Sequence, residues 1–229
     1  MGVWDSAGFE PEEPMRVGRP MAEEMRGADG WFCRASGRRL GRAVRPPDWY
    51  MRPESGATAH GVQVGATCGL HAVNHCLRSL GPEGFFTSQV FDAKASAADR
   101  RRGGNWLDTV LRANLAERGA AMHEVMGADH QDLPRWSQHS KRLMLWAEGV
   151  RGCVVHTPGH WLALVPPDGQ AAENNAALLC DSLHPRPFSL TAEEVGDFFA
   201  LVASRHLGAA NAADAGEYSI YVVEERGQE

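Results

Sequence analysis

A cysteine at 68, a histidine at 160 and an aspartate at 181 are the residues whose types and settings fit covalent catalysis. Cys68 opens a run in which Val73, Cys76, Leu77 and Leu80 recur at helical spacing. A cysteine in the first helical turn faces unpaired N–H groups and the positive end of the helix dipole. Both favour the thiolate, which is the nucleophilic form. Such a nucleophile needs a base, and the base can be distant in sequence. His160 begins the apolar run 160–165, after Thr157-Pro158-Gly159, so a strand start is expected to hold its ring rigidly. Trp161, beside it, is expected to shield the site from water. Asp181 ends the next apolar run, Leu178-Leu179-Cys180. If the two runs pair, His160 and Asp181 lie side by side, and the carboxylate fixes the imidazole tautomer and steadies the imidazolium. Gln63, five residues before Cys68, is placed to offer its amide N–H to an oxyanion together with the backbone N–H of Cys68.

Each residue also has an ordinary reading. Free cysteine is among the most buried residue types, so Cys68 alone could be inert. His160 alone could be any strand residue, and Gln63 a surface-loop residue. Asp168, Asn174 and Asn175 compete with Asp181 as orienters. His71 competes with His160 as base, but a base on the nucleophile's own helix has a constrained aim. Cys68, His71 and His75 fall at i, i+3 and i+7, which places them along one helical face, a spacing that metal sites use. Structural zinc prefers CxxC-type pairs and no second cluster follows, so neither metal nor cofactor is expected.

The elements that must position these residues are readable in outline. A helix capped by Thr67 runs from Cys68 towards Gly81-Pro82. A short helix is expected between Phe85 and Ala98. Another runs from an Asn105 cap to Arg118, burying Val110, Leu111 and Leu115 and stopping at Gly119. Strands are expected at 121–126, 152–156, 160–165, 177–181 and 218–223. Thr191 and Glu194 form a capping box for a helix through His206, with Val195, Phe198, Phe199 and Val202 as its stripe. The order predicts an α+β fold, a nucleophile helix packed on a mainly antiparallel sheet. Residues 1–53, broken by prolines and balanced in charge, are read as an irregular, loosely attached extension, and 54–229 as the catalytic domain.

Composition narrows the class. The chain has 229 residues, 43% hydrophobic and 23% charged, which suits a globular protein. A net charge of −6 argues against general nucleic-acid binding. No apolar run is long enough for a bilayer span, and none near Met1 resembles a signal peptide, so no membrane partner is expected. The five scattered cysteines point to a reducing cytoplasmic or nuclear setting. Only Lys94 and Lys141 are lysines among 23 basic residues. A lysine-poor surface resists ubiquitin attachment, although a coding bias towards arginine explains it as well.

Taken in order, these motifs resemble the Josephin family of papain-like deubiquitinating cysteine proteases. The matching residues are the Gln63–x4–Cys68 spacing, Gly69-Leu70-His71-Ala72-Val73-Asn74, Gly104-Asn105, His160-Trp161, Asp181-Ser182 and Tyr218-Ser219-Ile220-Tyr221-Val222-Val223. The likeness covers roughly residues 62–225. It implies a papain-like fold, a Cys68–His160–Asp181 triad with Gln63 in the oxyanion hole, and His71 as a support packed beneath the site. The implied reaction is hydrolysis of (iso)peptide bonds after the C-terminal glycine of ubiquitin, through a thioester, by a cofactor-free monomer. In better-known members a long helical hairpin precedes the Asn105 helix, and here that segment is short. The alternatives are a ubiquitin-binding module with little or no turnover and another papain-like thiol protease or acyltransferase.

Overall fold

The apolar runs become strands of one sheet that is covered on both faces. The structure, a computed structural model, describes residues 31–33, 38–50, 57, 63, 67–78, 84–93, 108–126, 149–167, 177–207 and 218–226. β1 (Trp31–Cys33) and β2 (Arg38–Leu40) pair as a separate antiparallel ribbon. The main sheet holds β3 (Arg42–Ala43), β4 (Ala120–Met126), β5 (Val150–Thr157), β6 (His160–Val165), β7 (Ala177–Cys180), β8 (Phe188–Leu190) and β9 (Ser219–Glu225). Their order is β3-β8-β7-β6-β5-β9-β4, and every neighbouring pair is antiparallel.

Four helices complete the described fold: α1 (Cys68–Cys76), α2 (Ser88–Asp92), α3 (Asp108–Glu117) and α4 (Ala192–Leu207). Strand alternation sorts the core into two clusters. Val154, Trp161, Ala163, Val165, Cys180 and Val223 share one with Leu70, Val73, Cys76 and Leu77 of α1 and with Val110, Leu111 and Leu115 of α3. Cys153, Val155, Leu162, Leu164, Leu179 and Ile220 share the other with Val195, Phe198, Phe199 and Val202 of α4. With both faces buried, the central strands read as continuous apolar runs rather than as alternation. Each fully buried Leu, Val or Phe contributes about 1.5–3 kcal/mol, so the two clusters dominate the stability.

All nine residues of α1 are buried. The helix lies close against β5 because Gly152 has no side chain. A Cβ there would stand 2.7 Å from the Leu164 carbonyl oxygen and 3.1 Å from Cys76 Sγ. Buried Asn74 ties the next segment to the helix, its amide donating to Phe86 O at 2.9 Å and its Oδ1 accepting from Phe86 N at 2.8 Å. Beyond the helix, Arg78 donates to Arg151 O at 3.1 Å and Pro166 O at 2.7 Å, anchoring that end to the sheet. The α4 capping box forms as expected. Thr191 N donates to Glu194 Oε2 at 2.8 Å, and Glu194 N to Thr191 Oγ1 at 3.3 Å.

The α+β expectation holds, with the helix that Cys68 opens packed on an antiparallel sheet. Several details differ. α1 ends at Cys76, where Leu77 N bonds back to Val73 O and Asn74 O, rather than continuing towards Gly81-Pro82. Thr67 stands at the N-cap but makes no side-chain cap bond. Its φ of −103° and ψ of 15° depart from the extended geometry that aims a hydroxyl at the first-turn N–H groups. Residues 38–50 are not a loose extension, since β3 pairs with β8 and Val44 N donates to Pro187 O at 3.0 Å. The Asn105 cap and the competing Asp168, Asn174 and Asn175 lie outside the described residues, as does most of 127–149. Among the described residues, no helix is long and apolar enough to cross a membrane.

Candidate active site

Cys68 occupies the first turn of α1 and is 1% exposed. His160 reaches it from the sheet. The β5–β6 hairpin turns through Pro158-Gly159, and Gly159 takes a φ of 70°, as the third residue of a type II turn requires. Thr157 Oγ1 donates to His160 O at 3.1 Å and fixes the first residue of β6. β6 pairs with β7 in the register Ala163↔Cys180, Leu164↔Leu179, Val165↔Leu178. That register carries the chain just past β7 alongside the start of β6, which is the juxtaposition expected from the sequence. His160 Nε2 lies 2.8 Å from Asp181 Oδ1. The His160 ring is also hydrogen-bonded to the Cys68 side chain. With Nε2 engaged by Asp181, Nδ1 is the nitrogen that serves Cys68. Cysteine, histidine and aspartate from α1, β6 and the turn after β7 thus form one chain of contacts.

The electrostatics of the pair follow from burial. The Asp181 side chain is 0% exposed and that of His160 13%. Burial alone pushes the His160 imidazole down. The Asp181 charge and hydrogen bond, joined by Cys68, outweigh it and raise the pKa to about 10. Burial likewise pushes the Asp181 carboxyl up. The His160 charge and hydrogen bond, then His184 and the Leu183 N–H, hold it below its ordinary value. An aspartate this deep needs several partners. Oδ1 accepts from both His160 and Leu183 N, the latter at 2.9 Å, while His184 Nε2 stands 3.6 Å from Oδ2.

Gln63 is tied to the same turn. Its backbone N donates to Ser182 O at 2.9 Å, and Ser182 Oγ–H donates to Gln63 Oε1. With Oε1 bonded to Ser182, the –NH2 end of the amide points away from that residue. Ser182 therefore sets which end of Gln63 can face a developing oxyanion.

His71 is buried on α1, its ring centroid 6.4 Å from that of His75. His75 is held neutral by burial first, then by His71 and Arg78. Trp161 is 2% exposed and stacks on His156 at 4.1 Å, with Tyr221 at 5.9 Å. It lies in the apolar cluster that contains Cys68. Among the described residues, no three His, Cys, Asp or Glu side chains group so as to hold a metal ion. Three contributors carried no assigned role in the sequence: Ser182, His184 and Tyr50. Ser182 and His184 follow Asp181 within one turn, which was a usable signal. Tyr50 stands in a proline-rich stretch, where its aromatic neighbour Trp49 is the one local signal of docking.

No protein-family model matches the chain, and no curated protein matches it in sequence.

Proposed function

We propose that the chain is a papain-like cysteine hydrolase of Josephin type that cleaves (iso)peptide bonds after the C-terminal glycine of ubiquitin. The observation that carries the reading is the continuous contact from Cys68 through His160 to Asp181, assembled from three separate elements. Such an arrangement suits acyl transfer. The Cys68 proton rests on His160 Nδ1, and Asp181 steadies the imidazolium at Nε2. The sulfur attacks the glycyl carbonyl carbon, and the oxyanion is met by the Gln63 amide and the Cys68 backbone N–H. His160 then returns the proton to the leaving amine as the C–N bond breaks. Water, activated by His160, attacks the thioester and releases the ubiquitin carboxylate and the thiol. No cofactor enters this sequence. The four described cysteines, Cys68, Cys76, Cys153 and Cys180, are free thiols, which suits a reducing cytoplasmic or nuclear setting.

The test is incubation with ubiquitin carrying a C-terminal thiol-reactive electrophile. A covalent adduct at Cys68, absent in Cys68→Ala, supports the hydrolase. Binding of ubiquitin without an adduct assigns a binding module instead. A Cys68 that reacts with chloroacetamide but neither binds nor processes ubiquitin assigns a thiol enzyme of another substrate class.

The Ser182 contact gives a further expectation. Gln63→Ala lowers kcat roughly 10²-fold, the usual loss for one oxyanion donor. Ser182→Ala lowers it about tenfold by freeing the amide to rotate. Because Ser182 acts through Gln63, the double variant is no slower than Gln63→Ala. Steady-state kinetics on a fluorogenic ubiquitin amide reads all three.

A further inference from the structure

Tyr50 lies outside the 54–229 catalytic domain expected from the sequence, yet it touches the two elements that the site must keep in register. It is 6% exposed, and its backbone N donates to Pro47 O at 2.9 Å. Its hydroxyl oxygen lies 2.8 Å from Asp181 O and 2.9 Å from His184 O, with its proton the donor to this pair. Those carbonyls are the first and last of the turn 181–184, which His184 N closes onto Asp181 O at 2.9 Å. The face of the Tyr50 ring stacks on His75, with centroids 5.0 Å apart and planes 4° from parallel. His75 belongs to α1, the helix that Cys68 begins. One side chain therefore spans from the nucleophile's helix to the orienter's turn.

The turn needs such a hold. Leu183 at its tip is 44% exposed, and the chain does not enter a strand again until β8 begins at Phe188. Asp181 sits at the start of this turn, so a pivot of the turn moves its carboxylate relative to the His160 ring. Tyr50 is itself well anchored. β3, a few residues before it, pairs with β8, and Trp49 packs edge-on against His75 at 5.9 Å. The phenol remains a donor across the working range, because burial first, then the Cys180 and Asp181 charges, push its pKa well above the ordinary tyrosine value.

We propose that Tyr50 is a positioning residue of the active site, a clamp whose hydroxyl holds the 181–184 turn so that Asp181 stays in line with His160. It follows that the segment 42–50 is part of the catalytic unit. The proposal rests on the Cys68–His160–Asp181 reading, but not on the identity of the substrate.

The experiment is NMR titration of the His160 ring in the full chain and in Tyr50→Phe, with ubiquitin-amide kinetics and thermal melts on the same samples. Tyr50→Phe removes one oxygen and keeps the ring stacked on His75. The groups facing the pair are Cys68, Asp181 and His184, and the substitution changes none of them. In the wild type His160 titrates far above an ordinary histidine. In Tyr50→Phe the midpoint falls by about one unit, and kcat falls about tenfold with KM unchanged. In an Asp181→Ala background, Tyr50→Phe costs no further kcat, since there is no orienting side chain left to place. A lower melting temperature with the midpoint and kcat at their wild-type values makes Tyr50 merely structural and overturns the proposal. A wild-type midpoint at the ordinary histidine value overturns the clamp together with the triad it serves. An elevated midpoint that falls in Tyr50→Phe, with no ubiquitin substrate turned over, overturns the deubiquitinase reading alone.

Discussion

Hydrolysis of a ubiquitin amide is expected to vanish in Cys68→Ala and to fall by about four orders of magnitude in His160→Ala. The two losses differ in what they do to the fold. Cys68→Ala removes one sulfur from a first-turn position where alanine is a better helix former, so its melting temperature stays near wild type. His160→Ala strips the cation from an aspartate that is 0% exposed. Breaking a buried pair costs roughly 3–5 kcal/mol when the remaining charge cannot escape. Asp181 can escape by taking up a proton, so the observed penalty is smaller and grows as the pH rises. His160→Gln separates the two effects. Its amide N–H can still donate to Asp181 Oδ1, which recovers part of the stability, but it cannot carry the Cys68 proton. Kinetics and melts together decide the matter. Both His160 variants should be equally inactive while their melting temperatures differ. Substantial turnover in either would remove His160 as base and promote His71, which is buried on the nucleophile's own helix.

The triad was legible because each member stands at the edge of an apolar run. Cys68 opens α1, His160 opens β6 and Asp181 follows β7, and pairing of those two strands is the simplest way to bury both. The rest was hidden for physical reasons. β3 has two residues and β8 three, too short for any period to register. Tyr50 makes its contact with Asp181 across 131 residues of sequence, in a stretch whose prolines suggested irregular chain. Thr67 carried the right residue type for a cap, but its backbone angles do not let the hydroxyl reach. Ser182 directly follows Asp181, but nothing in its local sequence gives it a role. Only the three-dimensional pairing of its hydroxyl with Gln63 gave it one. Local signals thus located Cys68, His160 and Asp181, while Tyr50 and Ser182 join them only through contacts between distant segments.

Asp181→Asn separates the charge of the orienter from its shape. An asparagine keeps an oxygen for the His160 Nε2–H and the Leu183 N–H, so the ring stays in place and kcat falls less than in Asp181→Ala, about tenfold against roughly 10²-fold or more. The pH dependence changes far more. In the wild type His160 is raised from 6.5 to about 10, burial opposing the shift and Asp181 driving it. The stability it contributes is fully present below 6.5 and is lost as the pH rises through about 10. Asp181 is lowered from 3.8, so its contribution is present above that value and is lost as the pH falls through the lowered one. The ion pair therefore stabilises most between about 4 and 6.5. Asp181→Asn removes both dependences, and burial then favours the neutral imidazole. Melting temperatures of the two proteins should lie furthest apart near pH 5 and draw together towards pH 10. The alkaline limb of kcat should move down towards the ordinary histidine range. A gap in melting temperature that is the same at every pH would mean that His160 carries no charge in the folded protein. Transfer of the Cys68 proton to His160 would then take place only as the substrate reacts.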